Sequence, residues 1–336
     1  MPCATVNGKA YARCDYATTI RTLAWAAGDS QPKTVSIPII DDGRAEGPET
    51  LQVSLSNPQG GTVSGAGTAA ITILDNETAD NANPIFGNLF FVRMHYLDFL
   101  NREPEADGQA AWLGVLNGCP DVNNTNPGSP SARCDRLMVS QSFFLSPEFQ
   151  LKGLYSYFFY RVAFNRTPGY EEITRDMAEL AGATSQEVFA KRAAYPVAIT
   201  QLPEFTALYG QMTNQQYVEA LLGRYQLQRI TTEDPQNFDG TAQVTLTAQQ
   251  LISALNGNSL SRAQVLRAVV QSSEVEAAES LGAFVAVQYY GYLRRTPEED
   301  GYQAWLRVIR QDPNNIRVMV NGFLNSTEYK LRFGRP

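Results

Sequence analysis

The stretch Phe91-Val-Arg-Met-His-Tyr-Leu-Asp-Phe-Leu-Asn-Arg-Glu-Pro-Glu-Ala-Asp-Gly-Gln-Ala-Ala-Trp112 returns as Phe284-Val-Ala-Val-Gln-Tyr-Tyr-Gly-Tyr-Leu-Arg-Arg-Thr-Pro-Glu-Glu-Asp-Gly-Tyr-Gln-Ala-Trp305. Aromatic, Leu, Arg, Pro, Gly and Trp positions keep register. A unit of this length cannot enclose a core alone, so a chain that repeats it must bury each copy against its neighbours. Apolar residues inside the unit, such as Phe91, Tyr96, Phe99 and Leu100, recur at helical spacing. A degenerate copy runs from Tyr155 through Tyr160, Arg166 and Pro168.

A second element follows the copies: Ser146-Pro-Glu-Phe149, Leu202-Pro-Glu-Phe205, Ser272-Ser-Glu-Val275 and Ser326-Thr-Glu-Tyr329. A hydroxyl ahead of Pro, Ser or Thr and then Glu suits a helix start, with an N-cap acceptor and a negative charge near the positive helix end. The spacing predicts a helix ending near Arg-x-Pro, a turn, a Trp-bearing helix and a further short helix. About four copies are expected, the third (216–278) badly degenerate. The proline stops the first helix and the later glycine eases the chain between helices. Trp112 and Trp305 should fill the groove between helices. Arg102, Arg166 and Arg295 hold one place relative to Pro, with helix-end carbonyls or acids of a neighbouring copy as expected partners.

Before residue 79 the period is two. Val35, Ile37 and Ile39 form one alternating run, Leu51, Val53 and Leu55 another, Ile71 and Ile73 a third. Turn residues separate them, at Gly28-Asp29, Asp42-Gly43, Asn57-Pro58 and Gly60-Gly61. The expected organisation is therefore multidomain, β followed by α. A partial antiparallel β-sandwich occupies 1–78, a small polar linker closed by Pro84 occupies 79–87, and an all-α repeat domain occupies 88–336.

Acidic residues gather at strand ends. Asp41, Asp42, Glu46 and Glu49 follow the run ending at Ile40, and Asp75 and Glu77 follow the run ending at Leu74. If these ends share one pole, several oxygens converge, which suits a hard cation such as calcium with its 6–8 oxygen ligands. The net charge of −7, with no block of Lys or Arg, disfavours nucleic acid. No apolar run is long enough to span a bilayer, and no export signal is visible at the start of the sequence. The cysteines fall into two close pairs, Cys3 with Cys14 and Cys119 with Cys134. Neither pair has zinc or thioredoxin spacing, so two local disulfides and an oxidising compartment are expected.

From Gly8 to Glu77 the chain resembles a calx-beta domain. The residues that carry the likeness are Cys14-Asp15-Tyr16, Leu23-Ala-Trp25-Ala-Ala-Gly28-Asp29, Ile37-Pro-Ile-Ile-Asp-Asp42, Glu46-Gly-Pro-Glu-Thr50, Leu55-Ser-Asn-Pro58 and Ile73-Leu-Asp-Asn-Glu77. The resemblance implies a β-sandwich whose opening strand lies before residue 1. It also implies a calcium site from Asp15, Asp41, Asp42, Glu46, Glu49, Asp75 and Glu77. Pro48 stands where that family often has an acid, and Asn76 interrupts the last cluster. The segments Phe91 to Trp112, Ser140 to Phe149 and Phe284 to Phe333 resemble a bacterial domain of unknown function, family 4214. That resemblance implies architecture and an exported context without naming a ligand.

The single histidine, His95, is matched by Gln288 in the last copy, which argues for a structural role. Asp107 and Asp300 read as turn formers, and no nucleophile elbow, phosphate loop or zinc motif is present. The expected protein is not an enzyme. It is a secreted or cell-surface bacterial module for adhesion, matrix or surface assembly, with a calcium-binding β-spacer, a helical docking platform and a protein or glycan partner at the cell surface. The alternative is a glycan- or small-ligand-binding module of a secreted enzyme, built around Tyr96, Tyr289, Tyr290 and Tyr302.

Overall fold

The computed structural model describes residues 8–237, 242–312 and 316–336. Two strands, β1 (Glu49–Ser54) and β2 (Thr68–Ile73), pair antiparallel with Leu51 opposite Ile71. Leu51 is buried while every residue of β2 is at least partly exposed, so the ladder covers a core on one side only. The run at Val35, Ile37 and Ile39 does not form a regular strand. It makes one antiparallel bridge, Tyr16 to Ile39, supported by Ala17 N–H to Pro38 O and Ile40 N–H to Asp15 O, both 2.8 Å. Pro38 has no N–H to extend such a ladder, and Val35 and Ile39 remain 37% exposed, so little apolar burial rewards it.

The rest is mostly helical. The helices are α1 (Asn88–Leu100), α2 (Ala106–Asn117), α3 (Arg136–Phe144), α4 (Pro147–Phe149), α5 (Tyr155–Phe164), α6 (Tyr170–Leu180), α7 (Ser185–Thr200), α8 (Pro203–Tyr209), α9 (Asn214–Gly223), α10 (Ala248–Asn256), α11 (Arg262–Val270), α12 (Ser273–Leu293), α13 (Glu299–Gln311), α14 (Ile316–Leu324) and α15 (Thr327–Lys330). A π-turn at Gln150–Leu154 joins α4 to α5. A hairpin, β3 (Arg229–Glu233) with β4 (Gln243–Thr247), interrupts the helices inside the degenerate third copy, where an all-α domain was expected. Ile230 and Thr232 point into the core, and the Thr231 N–H bonds Glu274 of the Ser272-Ser-Glu motif.

Two apolar cores fill the helical part. One is centred on α1, α3, α12 and α14 and the other on α5, α9 and α11, and the 21-residue α12 contributes to both. Ala17 and Ile40 of the β region belong to the first core. The β region is therefore seated on the helices. The segment read as a linker is held as well. Asn83 is buried, its side-chain amide donates to Lys330 O (2.9 Å) and Arg335 O (3.0 Å), and a 3-10 turn at Pro84–Phe86 buries Ile85.

The repeated motifs serve the same structural purpose where their residues recur. Ser146, Ser272 and Ser326 cap their helices by accepting the N–H of Phe149, Val275 and Tyr329, while Leu202, lacking a hydroxyl, makes no such bond. Trp112 packs on Phe143 and Trp305 on Phe323, with ring centroids 5.6 and 5.5 Å apart. The glycines serve a closer purpose than a flexible turn. Gly108 and Gly301 lie inside the first turns of α2 and α13, where an added Cβ would come within 2.4 Å of the Tyr96 and Tyr289 hydroxyls. Cys119 and Cys134 are bridged by a disulfide. Cys14 is also disulfide-bonded, while Cys3 lies outside the described residues. Among the described residues, no helix is long and apolar enough to cross a membrane.

Candidate metal centre

The seven acidic side chains singled out from the sequence line one cavity of about 70 Å³ at the end of the β1–β2 pair. Three carboxylates form its inner group. One oxygen each of Asp15, Glu46 and Glu49 lies within 4.8 Å of the other two. Oxygens on a sphere of calcium-ligand radius, 2.3–2.6 Å, stand no farther apart than about 5 Å.

Local structure explains the convergence. Glu49 opens β1 on its buried side, and Glu46 precedes it across Gly47, whose φ of 79° turns the chain back. Asp15 lies in a tight turn in which its own side chain accepts the Tyr11 N–H at 2.5 Å. Asp75 is a staple: its Oδ2 accepts the N–H groups of Glu46 (2.7 Å) and Gly47 (2.5 Å), and its Oδ1 that of Glu77 (3.0 Å). Asp42 accepts the Arg44 N–H at 2.8 Å through Oδ1. Asp41 and Glu77 border the cavity outside the inner group, Asp41 on the exposed rim.

Burying like charges together favours their protonated forms. Burial, partly opposed by the Arg44 N–H bond, pushes Asp42 up to about 7. Asp15 and Glu49 are only 5% and 4% exposed. Burial raises both, Asp15 to about 6 and Glu49 to about 8, and the Asp15 charge adds to the rise at Glu49. Burial and the Asp75 carboxylate raise Glu77 as well. Asp75 moves the other way, lowered by the Gly47 N–H ahead of the Glu77 and Glu46 N–H groups. Oδ2 of Asp42 and Oε1 of Glu49 are buried without a hydrogen-bond partner. Buried acceptors left bare are expensive unless a cation or water takes them. The donor set is all oxygen, so it fits a hard divalent cation such as calcium rather than zinc or copper.

One participant gave no signal in the sequence. Arg44 also lines the cavity, and its guanidinium reaches away to Leu331 O (2.8 Å) and Gly334 O (3.1 Å). The Gly43 N–H bonds Phe333 O at 2.9 Å. The loop bearing Asp41, Asp42 and Glu46 is thus tied to the C-terminal end of the helical domain.

Elsewhere, His95 is fully buried. Its Nδ1 lies 2.8 Å from Phe91 O and its Nε2 2.9 Å from the Ser140 hydroxyl. Burial pushes the imidazole down to about 4. Gln288 makes the matching bond to Phe284 O, so both side chains serve helix packing. Ser140 is itself fully buried and bonded to Tyr292, which leaves this Ser–His contact no route to a substrate. Asp107 and Asp300 sit in the first turns of α2 and α13. Of the tyrosines considered for ligand stacking, Tyr96, Tyr289, Tyr290 and Tyr302 are all at least 92% buried, so none offers an open ring face.

A strand pair with an acidic oxygen-lined pole describes the class of the first domain. The family model of the Calx-beta domain matches residues 1–77. No curated protein and no solved structure matches the chain.

Proposed function

We propose that this chain is a non-catalytic module of an exported bacterial surface protein, in which the β region binds calcium and the helical repeats form the platform on which that region is mounted. The observation that carries the reading is the meeting of Asp15, Glu46 and Glu49 in one pocket, beside bare buried oxygens of Asp42 and Glu49. Calcium bound there would supply the counter-charge that the carboxylates lack, replacing protons as the neutralising species. Asp15, Glu46 and Glu49 would hold it, with Asp42 next in reach. Asp75 would keep the Glu46–Gly47 turn in place. The disulfides support an oxidising, extracellular setting. In this setting a cation-filled pole stiffens a small β domain, and the adhesive or matrix partner is a protein or glycan at the cell surface.

Thermal unfolding of the full chain with calcium or with chelator tests the cation. Saturation at a hundredfold excess over Kd adds about 2.7 kcal/mol to stability. Glu49→Gln should remove the calcium-dependent shift and yet raise the melting temperature of the metal-free protein above pH 8, because it deletes a repelling buried charge. An identical calcium shift in wild type and Glu49→Gln would refute the assignment.

A further inference from the structure

The loop that carries Asp15 is held from behind by a buried ionic cluster belonging to the helical domain. Asp98 of α1 pairs with Arg294, which caps α12, and with Arg332, which follows α15, at 2.7 and 2.9 Å. All three side chains are no more than 1% exposed. Both guanidiniums then donate into the β region. Arg294 reaches Ala12 O and Tyr16 O, each at 2.9 Å, and Arg332 reaches Arg13 O at 2.8 Å. These carbonyls flank Asp15 in sequence. The second ligand-bearing loop is tied to the same C-terminal segment through Gly43 and Arg44.

The repeat itself marks these residues as special. Asp98 stands where the last copy has Gly291, and Arg294 stands where the first copy has Asn101 and the degenerate copy Asn165. All three helix-end residues have positive φ, 55° at Asn101, 53° at Asn165 and 46° at Arg294. Asparagine tolerates that conformation far better than arginine does. The repeat fold is thus satisfied by Asn, and the arginine answers to something outside the repeat: the carbonyls around Asp15.

We infer that the helical domain is a working part of the cation site, so that calcium occupancy and docking of the β region are one coupled equilibrium; this rests on the calcium reading above. The Asp98–Arg294–Arg332 cluster positions the Asp15 turn without touching the ion. Linkage requires the reverse effect of equal size: calcium tightens the junction.

Arg294→Asn is the informative variant, because it installs the residue that the sister copies use at the same φ. Calcium affinity of the intact chain should fall by about fivefold or more, the lower range of typical coupling, with stoichiometry unchanged. The sign separates positioning from simple electrostatics, since removing a positive charge near a cation site would by itself strengthen binding. In hydrogen exchange, calcium should slow the amides of residues 328–336 in the wild type, although that segment holds no ligand, and should slow them less in Arg294→Asn. Asp98→Asn should behave in the same direction. Unchanged or tighter binding in Arg294→Asn, or calcium protection confined to residues 8–77, would overturn the coupling alone. Failure of the wild-type chain to bind calcium would end the cation reading and the coupling with it.

Discussion

Gly301 shows how narrowly single residues are specified here. In the fold its missing side chain leaves room for the Tyr289 hydroxyl, which packs on the first turn of α13, and Gly108 leaves the same room for Tyr96. The sequence made these glycines visible as a matched pair, but not their purpose, because a hydroxyl seated against a helix leaves no mark in local spacing. Gly301→Ala would gain helix propensity of roughly 1 kcal/mol and still lose stability, by about 1–3 kcal/mol in the range typical of overpacking. Urea unfolding measures the balance, and a stabilised variant would show that the ring has room to move. The acidic residues were legible for the opposite reason. Strand-end clustering in Asp41, Asp42, Glu46 and Glu49 is a local pattern, and folding β1 beside the Asp15 turn brings such patterns together. The division of labour was not legible: Asp75 is taken up by three N–H groups, while Asp15, Glu46 and Glu49 face one another.

Three copies, the degenerate one at Tyr155–Pro168 among them, are each locked by one arginine that joins two elements. Arg102 grips Glu148 at 2.9 and 2.8 Å, Arg166 grips Glu204 at 3.0 and 2.8 Å, and Arg295 grips Glu328 at 2.8 and 3.0 Å. Each guanidinium also lies about 5 Å over a tyrosine of its own copy, Tyr96, Tyr160 or Tyr289. Both halves of this clamp are readable as motifs, the Arg-x-Pro corner and the glutamate after the helix cap, but the sequence points to helix-end carbonyls or acids of a neighbouring copy, whereas each arginine pairs with the glutamate that follows its own copy. Which acid was not foreseen, since 33 to 46 residues separate the members of each pair. The hairpin β3–β4 escapes the sequence reading although Val244 and Leu246 alternate with polar residues, because the repeat pattern places that region in a worn helical copy. A double-mutant cycle on Arg102→Gln and Glu148→Gln should return a coupling of about 1 kcal/mol, at the upper end for partly exposed pairs because the contact is bidentate. A coupling indistinguishable from zero would reduce the clamp to a geometric coincidence.

At the scale of the molecule, the seam in periodicity near residue 79 marks a change of secondary structure more than a break in packing. Ala17 and Ile40 enter the helical core, Asn83 is bonded to the C-terminal segment, and two buried arginines hold the Asp15 turn. The bonded contacts could not be read from spacing, because their partners lie 196 or more residues apart. The raised Asp15, Asp42 and Glu49 give the whole chain a definite pH response. Their folded values lie above the ordinary carboxylate range, so their stabilising share is fully present below about pH 4. That share is lost progressively as pH rises from there to about 8, with Asp15 and Glu49 responding as a pair. Metal-free protein should therefore melt at progressively lower temperature across that window, and calcium should help most at its upper end.

Calcium titration of the intact chain by calorimetry at pH 7, repeated in two buffers with different heats of ionisation, tests the cation-filled pole most directly. Carboxylates that still hold protons at that pH must release them to the ion. Saturable binding is predicted, with heats that differ between the two buffers because raised carboxylates give up protons to the ion. No saturable heat in either buffer would contradict it.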